Sequence, residues 1–355
     1  MANDATFDIG KRTMDRIKSA SSVHEIDTRK STERWLCEEL SRGFTAVHPV
    51  PHIIKGGLLH AQITRETGDL DITFARKMSE GEILTALRQM KPLLAAKGIG
   101  DVEIGKMQPL VISGDGGMRF PIVANAGGTR INTHIDITGG RRHLPARRLN
   151  ESGTPIQVQR TFGSVFFKDQ VPLQAYYQPF EGQAADKLSV LLLRPDTTRW
   201  KDFTDLSMLQ KMGLAPNKIA AELQHKLSFM LEDGEDLLWS LPEVPSTMTW
   251  DYAREKAMHF SSWQQKQAKT GSRPKTVDFE DAVCDVRQMY FAVRKAIIES
   301  YTPQVAAPVP TVADQARKMR EVRKRYQKPE PKEEGNVIQM GRYRDPGSLT
   351  FRPKF

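Results

Sequence analysis

Residues 53–74 read IIKGGLLHAQITRETGDLDITF. A short apolar run ends in Gly56 and Gly57, and after eleven intervening residues Asp69 and Asp71 flank a leucine inside a second apolar run. Carboxylates are rarely withdrawn from water without a partner, so this placement needs a cause. If residues 69–74 form a strand, Asp69 and Asp71 project from one face, about 6.6 Å apart along the chain. Two acids side by side repel unless a divalent cation bridges them. Mg²⁺ suits such a pair, because it takes one or two carboxylates and completes its octahedron with phosphate oxygens and water.

A third acid sits in a similar setting. Asp136, in THIDITGG, lies between Ile135 and Ile137 on another candidate strand. On a neighbouring strand it could complete a two-metal site of the kind that serves phosphoryl transfer, with ions about 3.5–4 Å apart. Gly56 and Gly57 supply the complementary feature, since backbone N–H groups approach phosphate closely where no Cβ intervenes. Taken singly these signals are common: a glycine pair is usually a turn, and D-x-D usually an exposed strand face. Their order along the chain is what carries information.

The totals set the frame. A chain of 355 residues has room for two domains. Its two cysteines, Cys37 and Cys284, are far apart and belong to no metal-ligand spacing, which argues against a disulfide framework or a zinc site. The polar start, MANDATFDIGKR, lacks the apolar core of a signal peptide, and LSVLLL (188–193) is too short to span a bilayer. The expectation is a soluble cytoplasmic protein with no membrane partner. Net charge is +9, which favours an anionic partner. Residues 303–355 hold 12 Lys/Arg against 6 Asp/Glu, so most of that excess lies in the tail.

Outward from the acidic strands, STERWLCEELSRGF (31–44) predicts a helix capped by Ser31 or Thr32. SEGEILTALRQMKPLLAAKG (79–98) predicts a helix with a Ser79/Glu82 capping box, ended by Gly98. Strand candidates follow at 101–113, 118–126, 129–138 and 155–162, broken by glycine turns. Strands with few intervening helices predict a mixed or antiparallel sheet. From about 180 the pattern turns helical. The divisions expected are an N-terminal extension at 1–30, a sheet domain at 31–178, a helical domain at 179–302, and a basic tail at 303–355.

The order apolar–GG, D-x-D, then a lone D between isoleucines resembles the polymerase β type of nucleotidyltransferase. IKGGLLHAQITRETGDLDITF, THIDITGG and ADKLSVLLLRPDTTRWKDFTDLSML (185–209) together resemble the AbiEii/AbiGii toxin family, the nucleotidyltransferases of abortive-infection type IV toxin–antitoxin systems. The resemblance covers about residues 31–230 and excludes the tail. It implies an α+β fold: a polymerase β-like mixed sheet with flanking helices, followed by a helical domain. It implies transfer of NMP from an NTP to an acceptor, with the tRNA 3′ end as the expected acceptor and blocked translation as the outcome. A winged-helix antitoxin would be the partner. Two other readings stay open: a protein or small-molecule hydroxyl as acceptor, and a catalytically silent nucleotide- or RNA-binding protein.

Residue by residue, the resemblance makes Asp69 and Asp71 ligands of Mg²⁺ (or Mn²⁺), with Asp136 assisting or orienting the attacking hydroxyl. Gly56 and Gly57 would seat phosphate, and Thr67 matches a small hydroxyl residue before the acids. Lys187 would face the triphosphate as a point charge. Asp202 would place Lys187 or Lys201, and Asp205 is the second downstream acid. Lys201 stands where the family often has arginine. Arg199, beside these acids, is as readily a surface partner as a phosphate ligand. Arg141, Arg142, Arg147 and Arg148, in GGRRHLPARR, would grip an RNA backbone beside the site. RKMREVRKRYQK (317–328) is a further basic run able to bind nucleic acid or simply to solubilise. His60, His134 and His143 share no spacing and read as structural or exposed.

Overall fold

The computed structural model describes residues 2–23, 27–60, 68–110, 116–140, 159–162, 167, 170–194, 199–229, 241–269, 277–300, 317 and 319–320. Thr67, the four arginines of 141–148 and most of the basic run 317–328 lie outside them.

Helices α1 (Ala2–Val23) and α2 (Thr28–Val47) precede β1 (His52–Lys55), a 3-10 turn over Gly56–His60, and β2 (Asp69–Phe74). Next come α3 (Glu80–Ala95), β3 (Ile99–Ile104), β4 (Gln108–Leu110), β5 (Gly117–Ala126) and β6 (Thr129–Gly139). β7 (Gln159–Phe162) and β8 (Leu173–Tyr177) complete the sheet. Its order is β3-β5-β6-β2-β1-β8-β7, with β4 on β5. β2–β6 and β1–β8 are parallel and the other pairs antiparallel, so the sheet is mixed, as expected.

Alternation explains which face is covered. Leu70, Ile72 and Phe74 of β2 are buried, and so are Ile131, Ile135 and Ile137 of β6. They pack beneath α2 and α3 through Leu36, Leu40, Phe44, Leu87 and Met90 in one apolar cluster. Asp69, Asp71, His134 and Asp136 alternate with these and emerge on the opposite face.

Local signals account for several boundaries. Ser79 caps α3 with the reciprocal Glu82 bond expected from sequence. The cap of α2 is Asp27, whose carboxylate accepts from Lys30 N–H at 2.9 Å. Ser31 and Thr32, the caps expected from sequence, instead lie buried within the helix. An acid one turn earlier outcompeted them by meeting the free N–H groups sooner.

Residues 1–30 read as a polar extension, yet they contain α1, whose Met14 and Ile17 are buried in the same cluster as the sheet. Gly10 permits this docking. A Cβ there would lie 2.4 Å from the Gly98 carbonyl oxygen and 2.5 Å from the Gly127 nitrogen, both backbone atoms that cannot swing aside.

Helices α4 (Phe180–Leu193), α5 (Trp200–Lys211), α6 (Pro216–Ser228), α7 (Trp250–Lys269) and α8 (Phe279–Ser300) form a second apolar cluster. Phe260 stacks on Phe279 at 4.6 Å between ring centroids, with Trp200 edge-on to Phe279 at 5.6 Å. Among the described residues, no helix is long and apolar enough to cross a membrane.

The glycine contact yields a direct test. Gly10→Ala should lower unfolding stability by about 1–3 kcal/mol through forced backbone displacement. Gly81→Ala, in the first turn of α3 with open space around it, should be neutral or slightly stabilising. Urea melts of the two variants against the parent check the contrast.

Candidate active site

Strand register builds the site. β2 pairs with β6 in parallel, so Asp71 lies beside Asp136 and Asp69 beside His134. β6 pairs with β5 so that Arg119 faces Asp136, and β1 pairs with β2 so that Lys55 faces Asp71. A row therefore runs across four strands in the order Arg119, Asp136, Asp71, Lys55. Cross-strand partners project from the same face, which places two acids between two bases. In the next row, the Nε2 of His134 lies 4.0 Å from carboxylate oxygens of both Asp69 and Asp136.

Formal charge cancels along this row, but Asp69 in the next row adds to its negative side. Burial raises the pKa of Asp71 to about 7, with Asp69 and then Asp136 adding to the effect, while Lys201 and Lys55 oppose it. A carboxyl so loaded is a place where added positive charge is stabilising. Asp136 already has a partner: Arg119 donates from Nε to one oxygen at 2.7 Å and from Nη2 to the other at 2.6 Å. Among the described residues, no group of three or more His, Cys, Asp or Glu converges as a ready metal cluster. The hard oxygen donors of Asp69 and Asp71, side by side on one strand face, nevertheless fit a divalent cation such as Mg²⁺ or Mn²⁺.

The glycine pair sits against the acids. Gly56 has φ +75°, and a Cβ on it would fall 1.9 Å from an Asp71 carboxylate oxygen. Gly57 follows in the same 3-10 turn. The turn thus brings bare backbone beside the Asp71 carboxylate.

The residues of the helical half form a separate cluster. Lys187 of α4 reaches Asp202 at 2.9 Å and Asp205 at 2.8 Å, two acids three residues apart on one face of α5. Both carboxylates are fully buried, and Arg199 adds a contact to Asp202 at 2.5 Å. Lys201, from the same helix, is near enough for its charge to act on Asp71. Lys187, expected from sequence to face a triphosphate, is here the tie between α4 and the buried acids of α5.

Sequence reading missed four residues of this region besides His134. Arg119 holds Asp136. Asp186 of α4 accepts from Gln178 at 2.6 Å and pairs with Lys226 of α6 and, at 3.9 Å, with Lys55. Burial works against the ionised form of Asp186, but Lys226 and Lys55 overcome it and hold its pKa well below the carboxylate range. Burial brings Lys55 down to about 8, against the pull of Asp186.

The sequence profile described as nucleotidyl transferase AbiEii toxin, type IV TA system, matches residues 53–275. The chain belongs to this family. It is a nucleotidyltransferase of the toxin kind. The match opens on β1 and closes before α8, so it contains every acidic and basic group of the site. Among solved structures, JHP933 from Helicobacter pylori is similar at 14% identity and a TM-score of 0.40, over 75% of this chain and 94% of that one. A candidate nucleotidyltransferase from H. pylori matches at 12% identity and a TM-score of 0.39, over 76% and 98%. No curated protein matches the chain.

Two expectations follow for this family member. Gly56→Ala should abolish nucleotidyl transfer, because both the positive φ and the Asp71 oxygen forbid a Cβ; a radiolabel-transfer assay checks it. Asp71→Asn and Lys187→Met should move stability in opposite directions. The raised pKa of Asp71 means that its folded form loses stability as pH rises from the ordinary value of 3.8 through about 7. Asn suffers no such loss, so in chelator Asp71→Asn should gain on the order of 1 kcal/mol at pH 8 and little at pH 5. Lys187→Met removes the cation shared by two buried carboxylates, of which Asp202 keeps Arg199, and should cost about 3–5 kcal/mol. Denaturant melts at the two pH values decide both.

Proposed function

We propose that this enzyme transfers NMP from an NTP to an acceptor hydroxyl, releasing pyrophosphate, with the tRNA 3′ end as acceptor and arrested translation as the outcome. The observation that carries the reading is the register of β2 against β6, with Asp69, Asp71 and Asp136 on one sheet face beside Gly56. Asp69 and Asp71 would hold Mg²⁺ or Mn²⁺, which when bound supplies charge stabilisation at the α-phosphate and a more acidic attacking hydroxyl.

The chain's own groups have distinct tasks in this reading. Gly56 and Gly57 present backbone to the phosphates. Asp136, paired with Asp71 at the next strand, would complete the metal site and orient the acceptor hydroxyl. Lys55 and Lys201 lend positive charge on the Asp71 side, where their influence on that carboxyl is already felt. Asp202 and Asp205 place Lys187 and Arg199 along the helical edge. Thr67 and Arg141, Arg142, Arg147 and Arg148 are assigned from the sequence pattern alone, as nucleotide and RNA-backbone contacts. The division of labour would follow the two apolar clusters, a catalytic sheet through 178 and a helical part at 179–302. Phage defence in the cytoplasm, with a winged-helix antitoxin as the partner, completes the proposal on the strength of the family.

Incubation with each labelled NTP and total cellular RNA tests this directly. Label should enter tRNA with one nucleotide preferred, and Asp69→Asn or Asp71→Asn should cut incorporation by about 10³-fold or more while the fold persists. Label confined to protein or to a small molecule would refute the RNA acceptor. Full transfer by a folded double variant would remove the mechanism altogether.

A further inference from the structure

Arg119 is fixed on its partner in the acidic row by two short bonds. Its fork meets Asp136 side-on, at 2.7 and 2.6 Å, so both carboxylate oxygens have a donor. The pair is also registered by the backbone, since β5 and β6 are joined by a two-residue turn at Gly127 and Gly128 that places residue 119 opposite 136. Yet the two partners differ in exposure. The Arg119 side chain keeps 36% of its surface in solvent, against 13% for Asp136. Lys187, by contrast, is 15% exposed and holds two buried acids. The fork makes this a strong pair while it lasts, yet an arginine with a path to water can leave its partner without stranding its own charge.

The row gives that departure a purpose. Asp136 stands beside Asp71, and a cation shared between these strands would draw on the same oxygens that Arg119 occupies. A guanidinium and a divalent ion cannot both neutralise this carboxylate at full strength. We propose that Arg119 is a latch on Asp136: it competes with the divalent cation for this carboxylate and so sets the cation concentration at which the site is filled. The inference rests on the metal-site reading above and adds to it a positioning residue that acts through Asp136.

Mn²⁺ titration of the full-length protein, followed by the loss of free-ion EPR signal, tests the latch without any turnover. Arg119→Gln should bind Mn²⁺ at least about tenfold more tightly than the parent, since one competing positive charge beside a divalent ion is removed. Arg119→Lys keeps the charge but loses the fork, and should tighten binding severalfold. Unchanged or weaker affinity in folded Arg119→Gln overturns the latch, and if that variant does not fold, the same outcome in Arg119→Lys does so. Asp71→Asn, carried in parallel, separates the two claims. Saturable Mn²⁺ binding that Asp71→Asn abolishes upholds the metal site whatever Arg119 does. Binding that is missing from the parent, or undiminished in Asp71→Asn, overturns the metal site and the latch together.

Discussion

The parallel pairing of β2 with β6 is the constraint on which the rest of the molecule depends. Pairing Asp71 with Asp136 is tolerable only because Leu70, Ile72, Ile135 and Ile137 gain their burial from the same register. A slip of one residue would turn the acids into the apolar cluster and the isoleucines to the open face. Each buried side chain of this kind contributes about 1.5–3 kcal/mol, so four of them outweigh the repulsion between neighbouring carboxylates. The fold thus holds together charges that would separate in any looser arrangement, and α2 and α3 press on the far face to keep it so.

Charge compensation differs between the two halves for a physical reason. Asp202 and Asp205 are fully buried, so their counter-ion must be permanent, and Lys187 lies within 3 Å of both. The acids of the sheet face are only partly covered. Burial, with the neighbouring Asp69 and Asp136 charges added, pushes Asp71 up to about 7 against the pull of Lys201 and Lys55. Full neutralisation by fixed lysines would make a more stable protein and leave no demand for a cation. In the metal-site reading proposed above, a bound cation would relieve the repulsion among Asp69, Asp71 and Asp136.

Much of this was legible because it depends on period-2 alternation and local turn chemistry. Asp69, Asp71 and Asp136 stood out as acids among buried-strand residues, and Ser79 with Glu82 announced the start of α3. Arg119 was within reach as well: strands at 118–126 and 129–138 joined by Gly127 and Gly128 fix the pairing of 119 with 136 once a two-residue hairpin is assumed. Helix α1 escaped because, among its described residues, Met14 and Ile17 are the apolar ones in the sheet's cluster, and Gly10 sits at its docking point where helix propensity disfavours it. β8 is five residues long and earns its place by pairing with β1, a non-local event. The Lys55–Asp186–Lys226 contact has no sequence signal at all, since it joins three elements spread over most of the domain pair.

That contact changes how the two apolar clusters relate. Asp186 and Lys187 are consecutive on α4, about 100° apart around the helix, so one faces the sheet while the other faces α5. Asp186 draws Lys55 and Lys226 together, and Lys55 also acts on Asp71. Lys187 fixes Asp202, one residue from Lys201, whose charge acts on the same Asp71. Both lysines that favour ionised Asp71 are therefore positioned through neighbouring residues of one helix. A shift of α4 would alter them together, so the charge state of the sheet face is tied to the packing of the helical half.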